Sequence, residues 1–340
     1  MDIEKHIPPT PPIGELVASL IAQGRITVDD ALTLRRSVFR DGGIAEAEAE
    51  RLFALDEAIS DKAPEWTVLF LEALTDYLVR QAEPRGYVSD ANAAWLVAMI
   101  SRDGLVKSAS ELELLLRVIE AASRSPESLE LFALAQVKAA VLLGNGPLAD
   151  GGTLTPGVIG PDEVALVRRV LYAHGGTEGI GISRAEADML FDLNDASSEA
   201  ENCNEWSDLF VKAISNHLMT AAGLRMPSRE DILARDGWLD DEQHLDMFTM
   251  FDTDLVRDAL VDSLRRLKST VCCNNKPEGA GDDADAMVAA PIDDDEARWL
   301  IGRIRHDGAM HDNELALLLF LKEENPDINP LFEPLFEEID

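Results

Sequence analysis

The chain has 340 residues, with 64 Asp and Glu against 30 Lys and Arg, for a formal net charge of −34. That balance argues against nucleic acid, which needs Lys and Arg on the contact face, and against an anionic membrane surface; it favours cationic partners, divalent metals or basic protein segments. A hydrophobic content of 46% fits a folded protein, no apolar run reaches the roughly 18 residues of a membrane span, and three cysteines, two of them adjacent (Cys272 and Cys273), make no disulfide framework.

The first twelve residues, MDIEKHIPPTPP, lack a basic region followed by an apolar one, so they are read as a tail, not a secretory signal, and the expected location is cytoplasmic. From residue 13 onward apolar residues recur at three and four, as in Ala94–Ile100 and Glu111–Ile119, while β-branched alternation is scarce. Glycines and prolines fall between these runs. The chain therefore reads as all-α.

Two stretches are copies of each other. Val88–Gly104 (VSDANAAWLVAMISRDG) and Ile292–Gly308 (IDDDEARWLIGRIRHDG) share Asp90/Asp294, Ala93/Ala297, Trp95/Trp299, Leu96/Leu300, Ile100/Ile304, Asp103/Asp307 and Gly104/Gly308. The motif Glu65-Trp66-x-x-Leu69-Phe70-x-x-Ala73 returns as Glu205-Trp206-x-x-Leu209-Phe210-x-x-Ala213, and GIAEAEAERLFALDEA (Gly43–Ala58) returns as GISRAEADMLFDLNDA (Gly181–Ala196). Arg35-Arg36 matches Arg168-Arg169, and Pro126 with Leu131-Phe132 matches Pro326 with Leu331-Phe332. An internal repeat governs the fold reading: a tandem duplication of a helical-bundle unit, with halves at 13–145 and 157–340 joined by a linker at 146–156. Trp66 and Trp95 lie 29 residues apart but Trp206 and Trp299 lie 93 apart, so the second half carries an insertion at 223–290. Its Pro227–Thr270 part reads as helical, opening on PSREDILA and carrying an apolar stripe from Leu255 to Leu267; Asn274–Pro291, rich in Gly, Ala and Asp, reads as flexible.

Each half divides again into two helix-turn-helix units: VFRDGGIAEAEAERL, MISRDGLVKSASELELL, LYAHGGTEGIGISRAEADML and RIRHDGAMHDNELALL. In these four subrepeats a helix ends at a turn, a short polar step follows, and a helix opens with an early Glu. The third departs, with His174-Gly175-Gly176 and five extra residues before Glu186. This Asp-Gly, polar step, Glu and leucine-rich helix resembles the TerB-like family of tellurite-resistance helical domains. The resemblance implies an all-helical fold and a link to stress response involving metal ions; it implies no enzyme chemistry.

The candidate site residues are the acids of these turns: Asp41 with Glu48, Asp103 with Glu111, and Asp307 with Glu314. Asp and Glu oxygens suit hard cations such as Ca or Mg. The same residues also make ordinary helix punctuation, with Gly ending one helix and Ser108, Asp312 or Asn313 capping the next. Acidic clusters at Asp293–Glu296 and around Asp192, Asn194, Asp195, Glu199 and Glu201 offer a second cation reading, and His306 with His311 flank the fourth turn. The paired tryptophans read as core. No G-x-S-x-G elbow or P-loop is present. The chain is thus expected to be a non-enzymatic helical repeat protein for binding or scaffolding, with a protein partner, basic by charge complementarity. A divalent-cation-binding protein and an enzyme with carboxylates between the halves are the alternatives.

Overall fold

The computed structural model describes residues 12–40, 42–144, 155–173, 181–222, 292–306, 308–324 and 329–339. Among them the fold is all-α, as the periodicity predicts, and the only strands are two pairs of two-residue segments. The chain divides into two compact units, Met1–Ala140 with Asn145–Thr153 and Val141–Gly144 with Leu154–Asp340. The division falls inside a helix, slightly before the expected end of the first half at 145. The insertion at 223–290 and the His174–Ile180 turn lie outside the described residues.

In the first unit α1 (Ile13–Gln23) buries Ile13, Val17 and Leu20, one stripe at helical spacing, and stops at Gly24, whose φ of 75° a side chain would resist. Helix α2 (Val28–Val38) opens on a capping box in which Thr27 and Asp30 satisfy each other's backbone N–H. Helix α3 (Glu46–Ala58) is followed by an extended loop, where β2 (Asp61–Lys62) pairs in parallel with β1 (Arg25–Ile26). Helix α4 (Pro64–Thr75) then runs into a π-helical stretch, Asp76–Gln81. It buries Trp66, Leu69, Phe70, Leu71, Ala73 and Leu74 because it is central, packed against α2, α3 and α6 (Ala109–Ala121). Between them α5 (Asp90–Ile100) leads into a hairpin of β3 (Ser101–Arg102) and β4 (Leu105–Val106), and α7 (Glu127–Leu143) follows.

The second unit is also all-α among the described residues. Helix α8 (Pro161–Leu171) is followed by α9 (Arg184–Ser197), α10 (Asn204–Ala221), α11 (Asp294–Arg303) and α12 (Asp312–Glu324). Here α10 takes the central place, packed against α8, α9 and α12, and it begins with a fully buried Trp206 as α4 begins with Trp66. A short 3-10 turn (Pro330–Phe332) and a last helix (Glu333–Ile339) cover the end of the unit with Phe332 and Phe336.

Candidate functional site

The turn acids hold the chain together locally. Asp103 and Gly104 both have positive φ, 54° and 82°, and join β3 to β4 as a two-residue hairpin turn. Such turns favour Asp-Gly because both central residues are left-handed. The expected simple helix stop at this Asp-Gly is therefore a hairpin, and Gln136 of α7 fastens it through Val106 N–H (2.9 Å) and the Gly104 carbonyl (3.1 Å). Glu48 accepts the Ala45 N–H at 2.9 Å, Glu314 accepts the His311 N–H at 2.9 Å, and Glu111 accepts the Ser108 hydroxyl at 3.0 Å. Each sits in the first turn of its helix, where a carboxylate serves otherwise unpaired amides. Asp41 and Asp307 lie outside the described residues. Asp293 caps α11 through the N–H groups of Asp295 and Glu296, and Asp192 accepts Arg303 at 2.7 Å. Among the described residues no three His, Cys, Asp or Glu converge on a point that could hold a metal ion.

The two units share an aromatic framework. Phe53 meets Phe70 edge-on at 5.4 Å and Trp95 at 5.8 Å; Phe191 meets Phe210 edge-on at 5.1 Å and Trp299 at 5.9 Å. Trp66 tilts against Phe70 at 5.9 Å as Trp206 does against Phe210 at 6.1 Å. Trp66 and Trp206 are fully buried, while Trp95 and Trp299 are half-buried. This is the core the paired tryptophans predict.

Each framework carries a cleft in the same place, where the loop after α3 or α9 faces the start of α6 or α12. The loops are held by the same backbone bond, Ala63 N–H to the Ile26 carbonyl (2.9 Å) in one unit and Cys203 N–H to the Ile159 carbonyl (3.0 Å) in the other. The first cleft, about 390 Å³, is lined by Asp56, Lys62, Lys107 and Glu111 among others. Its charges are matched internally. The buried Asp56 carboxylate accepts the Trp66 indole N–H at 2.7 Å and the Lys62 ammonium at 2.6 Å, and Lys62 also donates to the Asp56 carbonyl at 2.7 Å. Burial pushes the Glu111 carboxyl above its ordinary range; the neighbouring Asp56 and Glu57 add to the rise, and the Ser108 hydroxyl and Lys107 oppose it.

The second cleft, about 450 Å³, has lost that ion pair. Asn194 stands where the repeat alignment places Asp56, and Asn202 where it places Lys62. Asn202, which also lines the cleft, accepts Ile159 N–H and donates to the Ser197 carbonyl, both at 2.8 Å. Asn194 accepts the Asn313 amide at 2.8 Å. Its own Nδ2 and the Trp206 Nε1 are buried, with under 1 Å² exposed each, and have no acceptor among the described residues. Cys203 and His311 line the same cleft. Burial pushes the Cys203 thiol up, away from the thiolate a nucleophile needs.

A second polar group in this unit gathers around Trp299. Arg184 pairs with Glu296 and lies over the Trp299 ring; His217 meets Trp299 edge-on at 4.9 Å and brings its Nε2 to 3.3 Å from Glu296. Trp299 donates to Asp188 at 3.0 Å. The aligned positions in the first unit are Glu46, Tyr77 and Asn92, so this network grew over the same aromatic frame. Sequence reasoning grouped Asn194 with acids as a cation cluster and missed Trp206 as a polar group. The signal was present in the aligned copies, where Asp56 faces Asn194 across an otherwise like segment. No protein-family model, no curated protein and no solved structure matches the chain.

Proposed function

We propose that the chain is a non-enzymatic helical repeat protein with a binding role, and that the cleft of its second unit is the binding site. The observation that carries this reading is the cleft itself, about 450 Å³, in which neutral Asn194 and Asn202 stand where the sister cleft closes on its own Asp56–Lys62 ion pair. The protonated Cys203 thiol supports binding over nucleophilic chemistry. The four helix-turn-helix pairs are taken in this reading as TerB-like units, with the stress-related role that family implies. The net charge of −34 favours cationic or zwitterionic partners over anionic ones.

Melting of the full chain against a library of small acids, amino acids, amines, nucleotides, sugars and divalent cations tests this. A ligand at about 100 times its Kd adds about 2.7 kcal/mol of stability, which a melting curve resolves. At least one compound class is expected to raise Tm in the native chain and not in Asn194→Asp, which restores the carboxylate of the first unit. If no class does so, or if the variant responds equally, the cleft is not a binding site. A response to calcium or magnesium that chelator reverses and Asn194→Asp leaves intact would favour the cation alternative instead.

A further inference from the structure

We propose that the seam between α2 and α4 is a homodimer interface, covered by a second copy of this chain lying antiparallel across it. The seam belongs to the first unit and is independent of the binding role proposed above. Pairing of β1 with β2 sets Arg25 beside Asp61 and Ile26 beside Lys62, and the Arg35–Glu72 ion pair at 2.6 Å joins the two helices further along. Helices α2 and α4 therefore run parallel and in register, with Leu32 abreast of Val68. Three large apolar side chains stay open to water on this seam, Val28 at 45% exposure, Leu32 at 44% and Val68 at 58%. Val28 and Leu32 are four apart on one helix and so share a face. Exposed apolar residues scattered singly are ordinary, but several gathered at one seam mark a contact surface.

The second unit shows that the fold does not require this apolar centre. There α8 packs on α10 as α2 packs on α4, and α8 carries the same end charges, Asp162 and Glu163 in its first turn and Arg168 and Arg169 in its last. Yet Leu32 aligns with Ala165, and Val68 with Asp208.

Charge identifies the occupant. At one end of the seam lie Asp29 in the first turn of α2 and Glu65 in the first turn of α4; at the other lie Arg35 and Arg36 in the last turn of α2. Asp29, Glu65 and Arg36 are exposed, and among the described residues no ion pair engages Asp29 or Arg36. A surface that is acidic at one end, apolar in the middle and basic at the other is complementary to itself when turned about a two-fold axis. With that axis crossing the seam at Leu32 and Val68, Leu32 meets its own copy, and Arg36 of one protomer faces Val28 and Asp29 of its partner. The two α2 helices then oppose their dipoles as well as their end charges. A uniformly basic partner would meet Arg35 and Arg36, and a uniformly acidic one Asp29 and Glu65, so each matches only half of the seam.

Sedimentation velocity of the full chain in about 150 mM NaCl, from about 1 to about 200 µM protein, reads the association. A monomer–dimer equilibrium is expected within that range. Leu32→Glu and Val68→Glu change exposed positions, and each is expected to weaken association by about ten-fold or more with an unchanged melting temperature. Arg36→Glu alone sets acid against acid across the axis, and Asp29→Lys alone sets base against base. Each of these is expected to associate poorly by itself, and a mixture of the two to form a heterodimer about ten-fold or more tighter than either alone. This rescue in trans separates a lost interface from a damaged fold, since a misfolded variant would not recover on mixing. A native chain that stays monomeric throughout overturns the proposal, as does a dimer that Leu32→Glu and Val68→Glu both leave intact. A mixture no tighter than its parts overturns it too, because the antiparallel pairing is what assigns the seam to a second copy. A monomeric chain whose Val68 methyl resonances shift on adding an amphipathic Lys-Leu helical peptide would give the seam to a foreign helix, and the proposal falls.

Discussion

Glu111 is an acid placed where water barely reaches it, 5% exposed at the floor of the first cleft. Burial raises its pKa, so the folded chain holds this proton more tightly than the unfolded chain does. Its contribution to stability is complete below the unfolded value of about 4.3 and is lost as pH rises through the raised folded value. Urea unfolding of the native chain and of Glu111→Gln between about pH 4 and pH 7 is expected to show a steeper fall in stability with rising pH for the native chain. The glutamine keeps an acceptor for the Ser108 hydroxyl, and the difference between the two curves cancels the background of 64 acids. Parallel curves would mean that Glu111 titrates as it does in the unfolded chain.

Capping decides where the helices begin, and here the sequence was most legible. Ser183 and Glu186 form a reciprocal box, Glu186 N–H to Ser183 Oγ at 3.2 Å and Ser183 N–H to a Glu186 oxygen at 2.9 Å. Ser183→Ala is expected to cost about 1 kcal/mol in urea unfolding with an unchanged m-value; a change under about 0.3 kcal/mol would show that the box is redundant. Helical period, Gly-Pro punctuation and early acids located such helices because these signals are local. The β1–β2 pair and the π-helical run after α4 were not legible, since each depends on partners distant in sequence, Ile26 with Lys62 and Tyr77 against Trp95; the β3–β4 hairpin was signalled locally by Asp103-Gly104 but was read as a helix stop. The cleft was half legible. Its walls followed from the repeat, but the polarity of its floor depends on which loop residue reaches Asp56 or Asn194, a fact that no period encodes.

At the scale of the molecule, 64 acids against 30 bases make self-repulsion a standing load on the folded state. The described salt bridges are mostly exposed, as with Arg35 and Glu72, and contribute little each. Raising NaCl from about 50 mM to about 500 mM, which shortens the screening length from over 10 Å to about 4 Å, is expected to raise Tm by several degrees. A falling Tm would show that the exposed ion pairs outweigh the repulsion. Two units with their own buried cores, around Trp66 and around Trp206, bear this load separately.

The loop bond from Ala63 or Cys203 to the facing isoleucine carbonyl has a consequence for how such a protein changes over time. Main-chain atoms carry the shared part of the anchoring, and each loop adds its own side-chain part, Lys62 on Asp56 in one unit and Asn202 on Ile159 and Ser197 in the other. The second loop has accepted a longer sequence and exchanged Lys62 for Asn202, yet its tryptophan sits as deep as its sister's. A loop exchanged between the units must therefore travel with the residue it serves, Ile59–Lys62 with Asp56 and Ser198–Asn202 with Asn194.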